Sequence, residues 1–217
     1  TDLLAACRYI CRQTQICEAW KSQTFFLGII IIIVVIIISL SPCFQITFFE
    51  EKNFQGRCYE TSGDCTDLLS FFTRCNSVRV ESGSWVLYEK PNYKGYQYVL
   101  SPGDYADHQQ WMGLSDSIRS CRCIKNVYGN AWRLRLYERP DFGGQMVECT
   151  EDCPSVQEAF KFREVFSCVV LQGAWVFYEL PGYRGRQYFV ERGDYRKYTD
   201  WKAVSSALGS FHRITEF

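Results

Sequence analysis

One pattern constrains this chain more than any other: the spacing aromatic-x-x-x-x-aromatic-x-Gly occurs four times, at Phe49, Phe54, Gly56; Tyr88, Tyr93, Gly95; Tyr137, Phe142, Gly144; and Tyr178, Tyr183, Gly185. A recurrence of about 40 residues marks a repeat architecture, so any fold for the chain is built from four similar units. A serine follows each glycine at nearly constant distance, Ser77, Ser117, Ser167 and Ser210 standing 21, 22, 23 and 25 residues further on. The flanking sequence alternates in the manner of strands, as in Trp85-Val86-Leu87-Tyr88-Glu89 and Trp175-Val176-Phe177-Tyr178-Glu179, which sends successive side chains to opposite faces of a sheet.

The residue types state what each unit needs. Glycine suits a backbone position with positive φ, where a hairpin folds back over the sheet, and the aromatic rings cap that fold. Such a hairpin takes backbone amides away from water, and a serine hydroxyl from the end of the unit is expected to satisfy one of them. Glycine and serine are therefore read as structural partners, the alternative being a serine solvated in a loop.

Units two and four resemble each other more than their neighbours. Both begin Trp-Val-x-Tyr-Glu, both continue to Gly103-Asp104-Tyr105 or Gly193-Asp194-Tyr195, and both place a tryptophan six residues later, Trp111 and Trp201. A propeller also has four-stranded blades of similar length, but it repeats uniformly around a ring. The order A-B-A-B indicates instead an all-β chain of two sandwich domains, each of two Greek-key motifs. The longest interval between motif openings, Tyr88 to Tyr137, holds Lys125-Asn126-Val127-Tyr128-Gly129-Asn130, a natural linker. The expected division is a first domain at residues 45–124, a linker at 125–131 and a second domain at 132–217.

Charge and cysteine usage narrow the function. Lys plus Arg and Asp plus Glu are both 24, so there is no basic excess to release counterions from a nucleic acid. Residues 1–44 hold three of the basic and two of the acidic residues, leaving the remainder at 21 against 22. The twelve cysteines lack the short framework spacing of small secreted domains, and no CxxC pair or histidine-rich partner set offers zinc its ligands. Reduced, mostly packed thiols in a reducing cytosol are expected, with no metal and no cofactor.

The N-terminus stands apart. Residues 29–38 are all Ile or Val inside an apolar run at 25–40, preceded by Arg8, Arg12 and Lys21. As a helix the run spans only about 24 Å, short of the roughly 30 Å hydrocarbon core of a bilayer. Its ten Ile and Val nonetheless contribute on the order of −3 to −6 kcal/mol on insertion scales. Three readings stay open for this extension, whose first residue is Thr1: a translated stretch of upstream non-coding sequence, a membrane anchor, or a signal peptide. Helical or disordered structure is expected for residues 1–44.

From about residue 45 the chain resembles the vertebrate gamma-crystallins. The likeness rests on Ile46-Thr47-Phe48, on Asn53-Phe54-Gln55-Gly56-Arg57, on the run from Gly103 through Trp111 to Asp116, and on Tyr183-Arg184-Gly185-Arg186-Gln187-Tyr188. It implies a compact, soluble, long-lived refractive protein of lens fibre cytoplasm, monomeric, with weak self-association and contacts to other crystallins at high concentration. It implies four buried, ultraviolet-dissipating tryptophans at Trp85, Trp111, Trp175 and Trp201, with Trp132 outside the set, and tyrosine corners at Tyr105 and Tyr195. It also implies a domain interface of Val86, Val99 and Ile124 against Val176, Phe189 and Ile214. Calcium-binding relatives place two Asn or Asp residues at the head of a six-residue window ending on the repeat serine. The windows 72–77, 112–117, 162–167 and 205–210 do not begin that way, so calcium binding is expected to be absent or weak.

An enzyme needs a nucleophile, base or metal in a working constellation. His108 and His212 are the only histidines and occupy non-corresponding places, and no Gly-x-Ser-x-Gly, HExxH or phosphate-binding glycine loop is present. A small-molecule substrate is not expected. The alternative function is a membrane-tethered adhesion or binding module, which requires residues 25–40 to be a genuine anchor.

Overall fold

The strand-like alternation of each unit is realised as a short antiparallel hairpin followed by a returning strand. This computed structural model describes residues 44–125, 129–162 and 164–216; the apolar run at 25–40, nearly all of the N-terminal extension and the middle of the linker lie outside the described residues. Unit one supplies β1 (Gln45–Phe49), β2 (Cys58–Thr61) and β3 (Ser77–Ser82), and unit two supplies β4 (Ser84–Lys90), β5 (Lys94–Leu100), β6 (Gly103–Tyr105) and β7 (Ser120–Ile124). Unit three follows with β8 (Arg133–Tyr137), β9 (Met146–Cys149) and β10 (Ser167–Gln172), and unit four with β11 (Trp175–Leu180), β12 (Arg184–Val190), β13 (Gly193–Tyr195) and β14 (Ser210–Arg213). A single short α-helix among the described residues, α1 (Val156–Phe160), is N-capped by the Ser155 hydroxyl, which accepts from the Glu158 amide at 3.3 Å.

The units interlock in pairs. β6 leaves its own unit and pairs with β3, matching Val78 with Tyr105 and Val80 with Gly103, to give the order β2-β1-β3-β6. β13 crosses to β10 in the same way, giving β13-β10-β8-β9. In return, the chain after β2 reaches β7, where Cys65 and Cys121 exchange backbone hydrogen bonds of 2.9 and 3.0 Å, and Cys153 does so with Phe211 at the same distances. Each unit thus finishes the other's sheet. A lone unit would leave a strand edge open to water or to another chain, which is why two form a domain.

Two cores follow from this exchange. In the first domain Ile46, Phe48, Phe72, Val78, Trp85, Leu87 and Ile118 pack together, all buried, and in the second Leu134, Leu136, Trp175, Phe177, Val190 and Phe211 do so. Aromatic side chains carry much of this burial, each removing on the order of 150–250 Å² from water. The remaining sheet has six strands in the order β14-β11-β12-β5-β4-β7 and runs through both domains, joined where Gln187 of β12 faces Gln97 of β5.

Candidate functional site

With no cofactor or catalytic constellation expected, the candidate site is the set of contacts that locks the folded hairpins and joins the domains. At all four corners the second aromatic lies edge-on to the first, with ring centroids 5.6 Å apart for Phe49 and Phe54, 5.5 Å for Tyr88 and Tyr93, 5.5 Å for Tyr137 and Phe142, and 5.8 Å for Tyr178 and Tyr183. Gly56, Gly95, Gly144 and Gly185 have φ of +80°, +82°, +77° and +85°. Gly95 shows why glycine serves: its φ lies in the left-handed region, and a Cβ there would also lie 3.1 Å from Glu89 Cβ, so that the neighbouring strand must give.

The corner strains more than its glycine. Phe54, Tyr93, Phe142 and Tyr183 themselves have φ near +60°, as do the preceding Asn53, Asn92 and Asp141, with Gly182 at +71°. Left-handed backbone is uncommon for bulky residues and costs on the order of 1 kcal/mol or more, so the surroundings must hold it. Asn and Asp tolerate the conformation better, a signal in the sequence that pattern-reading passed over. The holding contacts are visible: the amides of Asn53, Asn92, Asp141 and Gly182 donate to the carbonyls of Ala106, Thr66, Arg196 and Pro154 of the partner unit, at 2.8 to 2.9 Å.

The serine completes the lock. Phe54 N–H donates to Ser77 Oγ (2.9 Å), whose hydroxyl donates to the Glu51 carbonyl (2.5 Å). The same relay runs from Phe142 through Ser167 to Arg139 (3.0 and 2.6 Å) and from Tyr183 through Ser210 to Leu180 (2.9 and 2.7 Å). In unit two the serine is Ser120 and not Ser117: Tyr93 N–H donates to Ser120 Oγ (3.1 Å), which donates to the Lys90 carbonyl (2.7 Å). Ser117 lies in the preceding loop, half-buried, and gives its hydroxyl to Glu89 O at 3.2 Å. The physical reason is register. Only the first residue of the returning strand sits beneath the hairpin, and β7 begins at Ser120 as β3, β10 and β14 begin at Ser77, Ser167 and Ser210. The correction moves the second six-residue window to residues 115–120, which opens on Ser115 and Asp116 and carries Arg119 before its serine. Among the described residues no cluster of three or more His, Cys, Asp or Glu is placed to hold a metal ion.

The tryptophans and corner tyrosines meet in pairs. Trp85, Trp111, Trp175 and Trp201 are all buried, and Trp132 is partly buried against the second core. Tyr105 donates its hydroxyl to the Ser101 carbonyl and Tyr195 to the Glu191 carbonyl, both at 2.9 Å. Their rings lie edge-on to Trp111 and Trp201 at 6.3 and 6.2 Å. Burial pushes the Tyr105 hydroxyl above its ordinary pKa, the hydrogen bond to Ser101 acting the other way.

At the junction between domains, Val86, Ile124, Val176 and Ile214 are buried in one cluster, and Val99 and Phe189 pack against it partly covered. The cluster also holds Tyr88, Tyr178 and Ala174, which the sequence reading did not include. Beside it lies a buried polar pair: Gln97 Oε1 accepts from the Phe189 amide and Gln187 Oε1 from the Val99 amide, each at 3.0 Å, while Gln187 Nε2 donates to the Trp111 carbonyl at 3.3 Å. Val99 and Phe189 occupy matching places in β5 and β12, so the bonds are reciprocal about a pseudo-twofold axis. Loss of solvation pushes the Tyr88 hydroxyl up to about 12, against the lowering effect of Arg122.

The eight described cysteines are unpaired thiols, with Cys75, Cys121, Cys123, Cys149, Cys153 and Cys168 buried and Cys58 exposed. Burial raises the thiols of Cys75, Cys121 and Cys168 far above the ordinary range, and that of Cys149 to about 12. Such groups stay protonated and are poor nucleophiles. His108 lies against Asp107 (3.2 Å) and Trp111, whereas His212 bonds to the Tyr178 hydroxyl at 2.9 Å.

Paired Greek keys that swap edge strands, each locked by an aromatic corner and a serine, define a double-sandwich structural protein. A family model described as Beta/Gamma crystallin matches residues 45–124 and 133–214, and the chain belongs to that family. It is 58% identical over 172 residues to gamma-crystallin M2 of Chiloscyllium indicum, covering 79% of this chain and 97% of that relative. Gamma-crystallin B of Rattus norvegicus is 58% identical over 173 residues (80% and 98%), and gamma-crystallin S of Cyprinus carpio 56% over 172 residues (79% and 99%). Likeness of this depth along nearly the whole of each relative places the chain with the vertebrate gamma-crystallins.

Proposed function

We propose that the chain is a structural constituent of the eye lens, a compact and long-lived refractive protein. The observation that carries this reading is the 58% identity to gamma-crystallins over nearly their entire length. The molecule's physical character supports it. Aromatic residues make up 17% of the chain and 16 of its 24 basic residues are Arg, so polarizable groups are dense. Equal positive and negative charge spread over a surface of interspersed ion pairs, such as Arg79 with Asp104 and Arg133 with Glu148, limits long-range repulsion at close packing. Buried, protonated thiols resist oxidation over a long lifetime.

The finer reading is a monomer in lens fibre cytoplasm that acts without catalysis, and the family's structural role supports it. Among the described residues no helix is long and apolar enough to cross a membrane. The experiment is quantitative mass spectrometry of lens and other tissues, separated into soluble and membrane fractions. Peptides from residues 45–217 should be concentrated in the soluble lens fraction. Their concentration outside the lens, in membranes and together with peptides spanning 25–40, would overturn the reading.

A further inference from the structure

We propose that the cleft between the two domains is a binding site for an oligophosphate anion, either a free phosphate chain or one carried by a nucleotide. The cleft has a volume of 620 Å³ and is lined by four cationic side chains, Lys90, Lys94, Arg186 and Lys202, against one carboxylate, Glu89. In a chain with equal numbers of basic and acidic residues, that local excess is a departure from the whole. Nine of the described lysines and arginines make ion pairs, and none of the four is among them. An anion entering the cleft therefore displaces no carboxylate from these four side chains.

Two of the cations are held in place in advance. Arg186 lies 4.6 Å from the Tyr96 ring centroid and donates to the Tyr96 hydroxyl at 2.8 Å, which fixes its guanidinium across the domain boundary. Lys202 donates to the Tyr93 carbonyl at 3.1 Å, also across that boundary. An ammonium has three protons to give and a guanidinium five, so both keep free donors for phosphate oxygens. A cavity of this size is far larger than one ion and suits an extended anion that meets cations from both domains.

The fold does not require the charges of Lys90 and Lys202. Units two and four are related by the pseudo-twofold axis through Gln97 and Gln187, and the residues matching Lys90 and Lys202 are Leu180 and Met112. Lys202 and Met112 both occupy the left-handed position that ends a 3₁₀ turn, with φ of 67° and 60°. The same backbone site thus accepts an apolar residue in one domain, and the charge at the other is separable from the architecture.

The test is calorimetric titration of the purified chain with inorganic tripolyphosphate, with orthophosphate and a nucleoside triphosphate as further arms. Tripolyphosphate should bind saturably at one site and weaken with added salt, and orthophosphate should bind far less. Equal affinity for the nucleotide assigns the phosphate chain as the recognised group; tighter binding assigns a nucleotide as carrier. Lys202→Met and Lys90→Leu, which import the residues of the matching sites, should each weaken binding by roughly tenfold, the worth of about one charge-assisted hydrogen bond. Circular dichroism checks that both variants are folded. The proposal is overturned by an absence of saturable binding, by unchanged affinity in the double variant, or by an equal loss in Arg57→Gln, whose exposed charge lies outside the cleft.

Discussion

Replacing Ser120 by alanine tests the corner lock most directly. Ser120 is fully buried, accepts from the Tyr93 amide at 3.1 Å and donates to the Lys90 carbonyl at 2.7 Å. Alanine leaves both backbone groups without a partner, and each buried polar group so orphaned costs about 1–3 kcal/mol. Tyr93 at the same time loses a contact that holds its φ at +59°, so part of that strain relaxes and partly offsets the loss. A net destabilisation of about 3 kcal/mol follows. Ser117→Ala is the control, since it removes one 3.2 Å bond from a half-buried hydroxyl, a loss of about 0.5–1.5 kcal/mol. In guanidinium unfolding followed by tryptophan fluorescence, the first domain's midpoint should fall by roughly 1 M for Ser120→Ala and by half of that or less for Ser117→Ala. A cost for Ser117→Ala equal to or above that of Ser120→Ala would refute the assignment of the relay to the first residue of the returning strand.

Gly95→Ala should destabilise by about 1–3 kcal/mol through left-handed backbone and the approach to Glu89, whereas Gly63→Ala, with nothing within 4 Å of a new Cβ, should be neutral in the same denaturation assay; equal effects would contradict the steric reason. Replacing Gln97 and Gln187 together by leucine strands the Val99 and Phe189 amides and should cost about 2–4 kcal/mol, visible in calorimetry as a wider separation of the two domains' transitions; an unchanged thermogram would sink the reciprocal-bond account. Stability should also fall in alkali. Loss of solvation pushes Tyr88 and Tyr188 up to about 12 from 10.0; because the folded values lie above the unfolded one, their contribution is whole below about pH 10 and is lost as the pH rises toward about 12. Unfolding midpoints measured across that interval should decline, and a flat profile would show that the two hydroxyls ionise freely in the folded state.

The corners were legible because their chemistry is local. An aromatic ring, a glycine at positive φ and a serine recur with the repeat, and a chain cannot make the fold four times without showing it four times. The misplaced serine has an equally local cause: the stretch Ser115-Asp116-Ser117-Ile118-Arg119-Ser120 offers three hydroxyls within six residues, and spacing alone favoured the middle one. The strand pattern held the better signal. Ser120-Cys121-Arg122-Cys123 repeats the form of Ser77-Val78-Arg79-Val80, and the interval from Gly95 to Ser120 is 25 residues, as from Gly185 to Ser210. The left-handed Asn53, Asn92 and Asp141 were likewise written in the residue types, beside each second aromatic.

Sequence alone determined the number of units, their pairing two by two, the residues of the aromatic corners and the outward valines of the junction, since each of these follows from short-range spacing and side-chain chemistry. Tertiary structure decided the exchange of β6 and β13 between units, the reciprocal bonds of Gln97 and Gln187, and the gathering of Lys90, Lys94, Arg186 and Lys202 around one cleft. These join residues about 25 to 110 positions apart. No local periodicity encodes such a pairing; it is fixed only when whole sheets bury their apolar faces against each other and leave one arrangement in which every buried polar group finds a partner.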